Sequence, residues 1–205
     1  MPAYHSKYAG AETGDEACGC ALLPLKTKTR GPAPLMADGE EDIVDEVIKY
    51  YRPNSLFRNF EVKGGARPRP APRPPRAAVA RGTRPSHGTP SFVAGADRSL
   101  IYLTLSMQQF LKECERFKTR GEAEKALHAL VIKQFPIPGG PGWSLGGMFP
   151  TPGDIQEGES WRLYMKQARE ELSLRTLDVL FYSDGSKNKL WASFSKRKFM
   201  GKELK

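Results

Sequence analysis

The sequence has few of the side chains on which catalytic and metal sites depend. Its 205 residues include three cysteines and three histidines. Cys18, Cys20 and Cys114 do not have the spacing of a disulfide framework, and their odd number is typical of a reducing compartment. Cys18, Cys20 and His5 are too few for a structural zinc site, which needs four ligands. We therefore expect no disulfides and no bound metal.

Motifs for phosphate binding and nucleophilic catalysis are missing as well. The glycines between Gly139 and Gly147 fit neither a P-loop nor a dinucleotide-binding pattern. No Ser/His/Asp or Cys/His arrangement stands out, and His128 beside an apolar helix stripe is typical of a partly exposed structural histidine. We expect a protein that is not an enzyme and that carries no cofactor.

Long apolar runs are also absent. No stretch approaches the roughly 18 apolar residues that a membrane helix requires. The N-terminal sequence MPAYHSKYAGAETGDEACGC has no basic start followed by an apolar run, so it does not resemble a signal peptide. These features predict a soluble intracellular protein without membrane insertion.

Acidic residues are missing from one segment, GGARPRPAPRPPRAAVARGTRPSHGTPSFVAG, residues 64–95. It holds six Arg, and 12 of its 32 residues are Pro or Gly. The segment carries +6 of the formal net charge of +9, whereas residues 1–63 carry 8 basic and 10 acidic side chains and residues 96–205 carry 18 and 13. Proline at this density favours polyproline II over a packed core. We predict a disordered insertion at 64–95, set into one domain formed by 1–63 and 96–205.

Two functions remain open for the insertion beside that of a spacer. Arg69, Pro72 and Pro75 match an R-x-x-P-x-x-P motif, which docks on aromatic-lined grooves. Six arginines could also neutralise phosphates, although Phe92 alone is available to stack on bases. The alternative functions are therefore an adaptor recruited through a proline-rich motif and a small basic nucleic-acid-associated protein.

Hydrophobic periodicity predicts an all-α fold outside the insertion. The predicted helices span 38–51, 97–118, 121–134 and 159–172, the last continuing toward Phe181. The 97–118 segment is apolar over more than one face, which predicts a central helix surrounded by the others, with Asp97 as its N-cap. Pro53 should end or kink the first helix. Prolines 24, 32 and 34 predict an extended arm over 21–34.

The C-terminal segment is the remaining candidate for a binding surface. Residues 187–205 hold seven Lys or Arg against one acidic residue, Glu203. Their pattern fits both a helix and a strand. Aromatic residues among cations suit contact with an acidic protein surface, although an ordinary terminal helix has a similar pattern. The candidate contact residues are Trp191, Lys196, Arg197, Lys198 and Phe199.

Several strings resemble one protein family in the same order along the chain. They are MPAYHS, ALLPLKTKTRGPAP, DIVDEVIKYY, FRNFEVK, ADRSLIYLTL, FPIPGGPG and KRKFMGKELK. Together they resemble subunit 3 of the actin-related protein 2/3 complex, its 21-kDa class, from Met1 to Lys205 with a gap at 64–95. Because this segment has no counterpart in the family pattern, the resemblance supports its interpretation as an insertion.

The resemblance implies a compact helical fold and a non-catalytic structural subunit of a seven-member complex that nucleates branched actin filaments. Its implied partners are the actin-related protein 3 subunit, the other subunits and the actin filament, with no nucleic acid. It implies a location in the cytoplasm and cytoskeleton, in cell projections and in the nucleus. ATP would belong to the actin-related subunits, so the resemblance implies no cofactor and no catalytic residue for this chain.

Overall fold

A computed structural model describes residues 4–9, 14–37, 39–56 and 91–204, of which 91–94 are described by their backbone alone. Within these residues five α-helices dominate, which confirms the prediction of a mostly helical protein. The helices are α1 (Ile43–Asn54), α2 (Ser91–Cys114), α3 (Arg120–Ile132), α4 (Ile155–Leu180) and α5 (Lys189–Ser193). Short 3-10 turns span Gly146–Met148, Phe194–Lys196 and Phe199–Gly201.

A small hairpin corrects the all-α prediction. Strands β1 (Glu16–Ala17) and β2 (Cys20–Ala21) pair antiparallel, with Ala17 opposite Cys20. The two residues between them, Cys18 and Gly19, have φ values of 50° and 68°. Two consecutive residues with positive φ are typical of the tight turns whose twist matches a hairpin. Strands of two residues are too short to produce a detectable alternation in the sequence.

Helix α1 begins later than predicted from the acidic residues that precede it. Asp42 is the N-cap: its carboxylate accepts a hydrogen bond from the Asp45 amide at 2.9 Å, and the Asp45 carboxylate accepts one from the Asp42 amide at 3.3 Å. This reciprocal capping fixes the first turn at Ile43 rather than at Asp38. Pro53 lies in the last turn, and the helix ends at Asn54, close to the predicted end.

The predicted start of the long apolar helix was wrong. Helix α2 begins at Ser91, and Asp97 is buried inside the helix rather than capping it. The Asp97 carboxylate accepts a hydrogen bond from the backbone amide of Ser6 at 3.0 Å, so its role is tertiary. Residues Ser91–Gly95 of the predicted insertion therefore belong to α2. The rest of it, 64–90, lies outside the described residues, together with Arg69, Pro72 and Pro75.

Helix α2 is apolar over much of its circumference, as the sequence predicted. It contacts α1, α3, α4, β2 and the two C-terminal 3-10 turns. Its buried side chains include Leu100, Ile101, Tyr102, Leu103, Leu105, Met107, Phe110, Leu111 and Cys114. Burial of this many apolar side chains, at about 25 cal/mol per Å² of apolar surface, makes α2 a principal source of stability in the described core.

An aromatic cluster closes the end of the core where residues 133–153 pass over α2 and α4. Tyr102 is stacked on Trp143 with ring centroids 6.2 Å apart, and it meets Trp161 edge-on at 5.0 Å. Phe135 and Phe149 complete the cluster. The Pro- and Gly-rich segment is therefore an ordered, apolar loop, as predicted. In the part of the chain that the structure describes, no helix is long and apolar enough to cross a membrane.

Candidate partner-binding surface

The C-terminal segment is held on α1 by aromatic packing. Asn188 caps α5, where its side-chain oxygen accepts hydrogen bonds from the Leu190 and Trp191 amides at 3.1 and 3.4 Å. The half-buried Trp191 ring then lies 6.1 Å from the fully buried Tyr51 ring, centroid to centroid. Phe194 meets Tyr51 edge-on at 6.3 Å. Trp191 therefore fixes this segment on the core, and part of its ring is exposed.

A second attachment joins the same segment to α2. The Gln108 side chain accepts a hydrogen bond from the Phe199 amide at 2.5 Å and donates one to the Lys202 carbonyl at 3.0 Å. The Phe199 ring is 1% exposed. The structure thus places Phe199 in the core, because the glutamine clamps the backbone around it, and the residue offers no surface to a partner.

The three cations of the predicted set lie together on the surface. Lys196, Arg197 and Lys198 are exposed, and together with Leu56 and Met200 they line a groove of about 470 Å³. Leu56 is 56% exposed and supplies an apolar wall. We call Leu56, Lys196, Arg197, Lys198 and Met200 the basic groove. Its combination of apolar surface with cations suits an acidic partner surface.

One acidic residue moderates the charge beside this groove. Glu203 lies 3.2 Å from the Lys198 ammonium and 3.4 Å from that of Lys112. The hydrogen bond from Lys198 lowers the pKa of Glu203, so it is charged at neutral pH. Both pairs are exposed, and such pairs contribute little to stability. In the described ranges Lys196 and Arg197 form no ion pair, so their charges are available to a partner.

The three cysteines and His5 have structural surroundings. Cys18, Cys20 and Cys114 are buried free thiols, and burial raises their pKa values to about 12, 12 and 11. Buried thiols of this kind are unreactive. The His5 ring is hydrogen-bonded to Asp97 at 2.8 Å, whereas His128 is exposed on α3. Across the described segments no group of His, Cys, Asp and Glu could hold a metal ion.

An arginine-centred network that the sequence did not reveal joins α1, α4 and the extended arm. The Arg175 guanidinium donates to Asp42 at 2.7 and 3.0 Å, to Asp45 at 2.8 Å and to Glu171 at 2.7 Å. It also donates to the Lys26 carbonyl at 2.5 Å. Burial alone would lower the pKa of Arg175, but the hydrogen bonds and charges of Asp42 and Glu171 raise it overall. Only the Glu171–Arg175 spacing could have been noticed in the sequence.

The N-terminal residues form a strap, residues 4–8, across α1 and α2. Two buried carboxylates receive it: Asp97 accepts from the Ser6 amide at 3.0 Å, and Glu46 accepts from the Ser6 hydroxyl at 2.8 Å and the Lys7 amide at 3.0 Å. Tyr4 exchanges hydrogen bonds with the Asn54 side chain at 2.9 and 3.0 Å. Backbone donors carry most of these contacts, so no sequence pattern announces them.

Comparison with known families identifies the family of this chain. The family model described as "P21-Arc: ARP2/3 complex ARPC3 (21 kDa) subunit" matches residues 1–68 and 91–204. The chain belongs to this family. The match covers most of the chain and omits residues 69–90, a shorter segment than the predicted insertion of 64–95. The family is that of an ARP2/3 complex subunit involved in actin nucleation, and neither alternative function gains support from it.

Relatives from distant eukaryotes agree along almost the entire length. "Actin-related protein 2/3 complex subunit 3" of Arabidopsis thaliana is 37% identical over 197 residues, which cover 96% of each chain. The proteins of the same name from Schizosaccharomyces pombe and Saccharomyces cerevisiae are 35% and 34% identical, with complete coverage of both chains in each comparison. The resemblance stated from the sequence strings is thereby confirmed.

Proposed function

We propose that the chain is a non-catalytic structural subunit of the actin-related protein 2/3 complex that supports nucleation of branched actin filaments. The observation that carries this proposal is the family match on both sides of residues 69–90, together with relatives covered along at least 96% of their length. The structural roles of the described thiols and of His5 agree with a subunit whose work is assembly. The subunit would act in the cytoplasm and cytoskeleton, in cell projections and in the nucleus.

Helix α2 serves, in this proposal, as a central helix around which the subunit is built. Its contacts with α1, α3, α4, β2 and the C-terminal turns support that role. A helix surrounded in this way opens only when the whole domain opens. In amide hydrogen exchange of the full chain, residues 100–111 should exchange among the slowest. Exchange there as fast as in residues 69–90 would contradict a central helix.

The basic groove is our candidate for contact with an acidic surface of the actin-related protein 3 subunit. It exposes Lys196, Arg197 and Lys198 next to the apolar surface of Leu56 and Met200. The half-buried Trp191 contributes its exposed edge beside Phe194. Such a surface steers association by charge and adds affinity through the apolar contact. Contact with the filament would follow from membership of the assembled complex.

Charge reversal tests this surface. The variant K196E/R197E/K198E should be released from the complex at lower salt than the wild type, because like charges would then face the acidic partner. The variant K118E/K125E/K166E reverses three exposed lysines elsewhere and is the matched control. Co-purification with the other subunits across a salt series measures both. Equal release of the two variants would refute the basic groove as the contact.

Co-purification also distinguishes the proposed function from the nucleic-acid alternative. Actin-related subunits should remain bound to the full chain at high salt. A protein held by phosphate contacts would instead lose its partner steeply as salt rises, and nucleic acid would appear in the eluate. Loss of branched nucleation when the chain is omitted from a reconstituted complex, and its recovery on addition, would complete the test.

The segment that the family model omits is proposed to be a dispensable insertion. Deletion of residues 69–90 should leave complex assembly unchanged, since the cost of closing a connection grows only logarithmically with its length. Deletion of 69–95 is the informative contrast, because it also removes the first turn of α2. There the buried Gly95 lies so close to the Ala21 amide that an added Cβ would be 3.0 Å away.

The adaptor alternative predicts a different outcome for the same segment. If Arg69, Pro72 and Pro75 recruited a partner, replacing all three with alanine would abolish function as completely as the deletion of 69–90. We expect the triple variant to assemble and to support nucleation like the wild type. Impaired assembly in either variant would contradict the interpretation as a spacer.

A further inference from the structure

Arg169 on α4 is a buried arginine with an unusual environment. The residue is 2% exposed, and its guanidinium carbon lies 4.6 Å from the centre of the Phe135 ring and 5.6 Å from that of Phe110. Its Nη2 donates to the Gln109 side chain at 3.3 Å, and it also interacts with the Tyr102 hydroxyl. These partners are all neutral. Among the described residues, Nε of Arg169 has no hydrogen-bond partner.

The missing counter-charge is the informative feature. Arginine keeps its proton at every physiological pH, and a buried charge without an opposite charge costs several kcal/mol. Arg162 on the same helix also has an Nε without a partner in the described part of the chain, but its guanidinium pairs with Glu159 at 2.5 Å. Arg169 forms no ion pair with any described residue. Stacking on Phe135 offsets only part of that cost.

Arg169 is one of the residues that line a cavity of about 70 Å³. Its polar lining consists of Gln109, Lys133, Gln134, Ser144 and Arg169, beside aromatic and apolar walls that include Trp143. Two lining residues are cationic, and no described acidic side chain lines the cavity. The site therefore presents donors and positive charge, and none of its described lining residues supplies a carboxylate.

The size of the cavity limits what can enter it. A water molecule needs roughly 10–15 Å³ by this kind of measure, so the cavity holds a group of a few heavy atoms. Nucleotides and sugars occupy pockets several times larger, on the order of 300 Å³ or more. A carboxylate supplies the negative counter-charge that no described residue offers to Arg169. It also has the planar geometry with which a guanidinium pairs most strongly.

We propose that this cavity binds a single carboxylate group through Arg169. The Arg169 guanidinium donates to one carboxylate oxygen, and the exposed Lys133, which also lines the cavity, adds attraction at longer range. The carboxylate comes either from an acidic side chain of a neighbouring subunit or from a free small carboxylate. The first source rests on the proposed function, whereas the binding itself does not.

The arginine Nε–H signals of the full chain, observed by ¹⁵N NMR, test the binding directly. Titration with sodium acetate should shift the Arg169 signal along a saturating curve, and sodium chloride at equal ionic strength should not. Arg162 is an internal control on the same helix, since its charge is already paired, and its signal should stay in place. No shift at Arg169, or a parallel non-saturating shift of both signals, would overturn the proposal.

Two variants distinguish direct binding of acetate by Arg169 from a general effect of positive charge. In R169Q the affinity for acetate, measured by isothermal titration, should fall about tenfold or more, the loss expected for a charge-assisted hydrogen bond. In K133Q the loss should be about threefold or less, because Lys133 is exposed and acts at longer range. Equal affinity in R169Q and the wild type would exclude Arg169 as the receptor. The wild-type NMR titration remains decisive if R169Q does not fold.

The source of the carboxylate is decided in the assembled complex. If a neighbouring subunit supplies it, R169Q should be released at lower salt than the wild type, and acetate should weaken retention of the wild-type chain. If the carboxylate is free, both chains should be retained equally, which would overturn the subunit as source. Failure of the chain to join the complex at all would refute the proposed function and leave the acetate result on the isolated chain standing.

Discussion

Two regions of α4 differ in the environment they give an arginine, which is partly buried in the first and fully buried in the second. In the charge-paired region, Arg175 is surrounded by the carboxylates of Asp42, Asp45 and Glu171 at 2.7 to 3.0 Å. In the aromatic region, Arg169 lies against Phe135 and lacks a described counter-charge. The first arginine is part of the internal structure, because each charge has its partner within the chain. The second has no counter-charge among the described residues, and this is the basis for our proposal that it binds a carboxylate.

The N-terminal strap shows that buried carboxylates in this protein are also satisfied by neutral hydrogen-bond donors. Asp97 and Glu46 are buried carboxylates, and residues 5–7 supply hydrogen bonds to both. Because these two buried carboxylates have hydrogen-bond donors, the lack of a described counter-charge at Arg169 is more informative. Burial alone does not distinguish a structural charge from a binding charge; the distinction lies in what surrounds it.

The sharpest test of the comparison is R175M, with the largest expected effect. Removing Arg175 leaves the fully buried Asp42 without its cation, although Asp45 keeps its pair with Lys26, and this should lower the free energy of unfolding by about 3–5 kcal/mol. Urea denaturation measures this change. The control is R120M, which breaks the exposed pair with Asp178 and should cost about 1 kcal/mol or less. Similar losses in the two variants would show that the Arg175 network is not structural.

The strap should be the next most sensitive feature. In S6A, Glu46 loses the hydroxyl donor at 2.8 Å and the Tyr8 amide loses its acceptor at 3.2 Å. The loss of one donor to the buried Glu46 and of the acceptor for the partly buried Tyr8 amide should cost about 1–3 kcal/mol in chemical denaturation. S193A removes an exposed hydroxyl and should change stability by less than about 0.5 kcal/mol. A loss in S6A as small as in S193A would mean that the strap contributes little.

The contacts of the strap also predict a pH dependence. Burial raises the pKa of Glu46 above its ordinary value of 4.5, against the opposing hydrogen bonds from Lys7 and Ser6. The folded state then holds the proton more tightly than the unfolded state, so this group's stabilisation is complete below pH 4.5 and is lost as pH rises through the raised folded pKa. In E46Q this part of the stability profile should disappear, whereas the exposed E124Q should retain it. An unchanged profile in E46Q would assign the effect elsewhere.

The smallest effect is expected for R169M, and it would sharpen the comparison most. Methionine keeps much of the side-chain volume, and no described carboxylate is left unpaired by the change. The free energy of unfolding should therefore change by less than about 1 kcal/mol, or rise, because the cost of burying the charge is removed. Denaturation under the conditions used for R175M gives the comparison. A loss as large as that of R175M would show that Arg169 is a structural residue.

Local patterns predicted the helices because their causes lie within a few residues. The stripe of Ile43, Val44 and Val47 became the buried face of α1, and the apolar stretch around Leu103 became the interior of α2. The extended arm and the ordered loop at 135–153 followed from the positions of proline. Errors arose at boundaries. Asp97 has the properties of a cap, but its partner is Ser6, a residue too distant in sequence for a local pattern to indicate.

The candidate surface was predicted only in part, because local composition indicates the cations but not the tertiary contacts. Cations near the C-terminus were recognised from composition, and Lys196, Arg197 and Lys198 are exposed as a surface role requires. Phe199 has the same aromatic character as Trp191, yet Gln108 draws it into the core. The environments of Arg169 and Arg175 could not be predicted. Their spacing along α4 indicates a helix, but it does not indicate which side chains of other elements pack against them.

By itself, the sequence determined the helical class, the family and the position of the arginine- and proline-rich segment, because these depend on periodicity, composition and strings of adjacent residues. Only the tertiary structure decided which charges are paired. Pairing depends on distances of about 3 Å between residues far apart in the chain. Packing sets those distances: three carboxylates surround Arg175, whereas none of the described carboxylates pairs with Arg169.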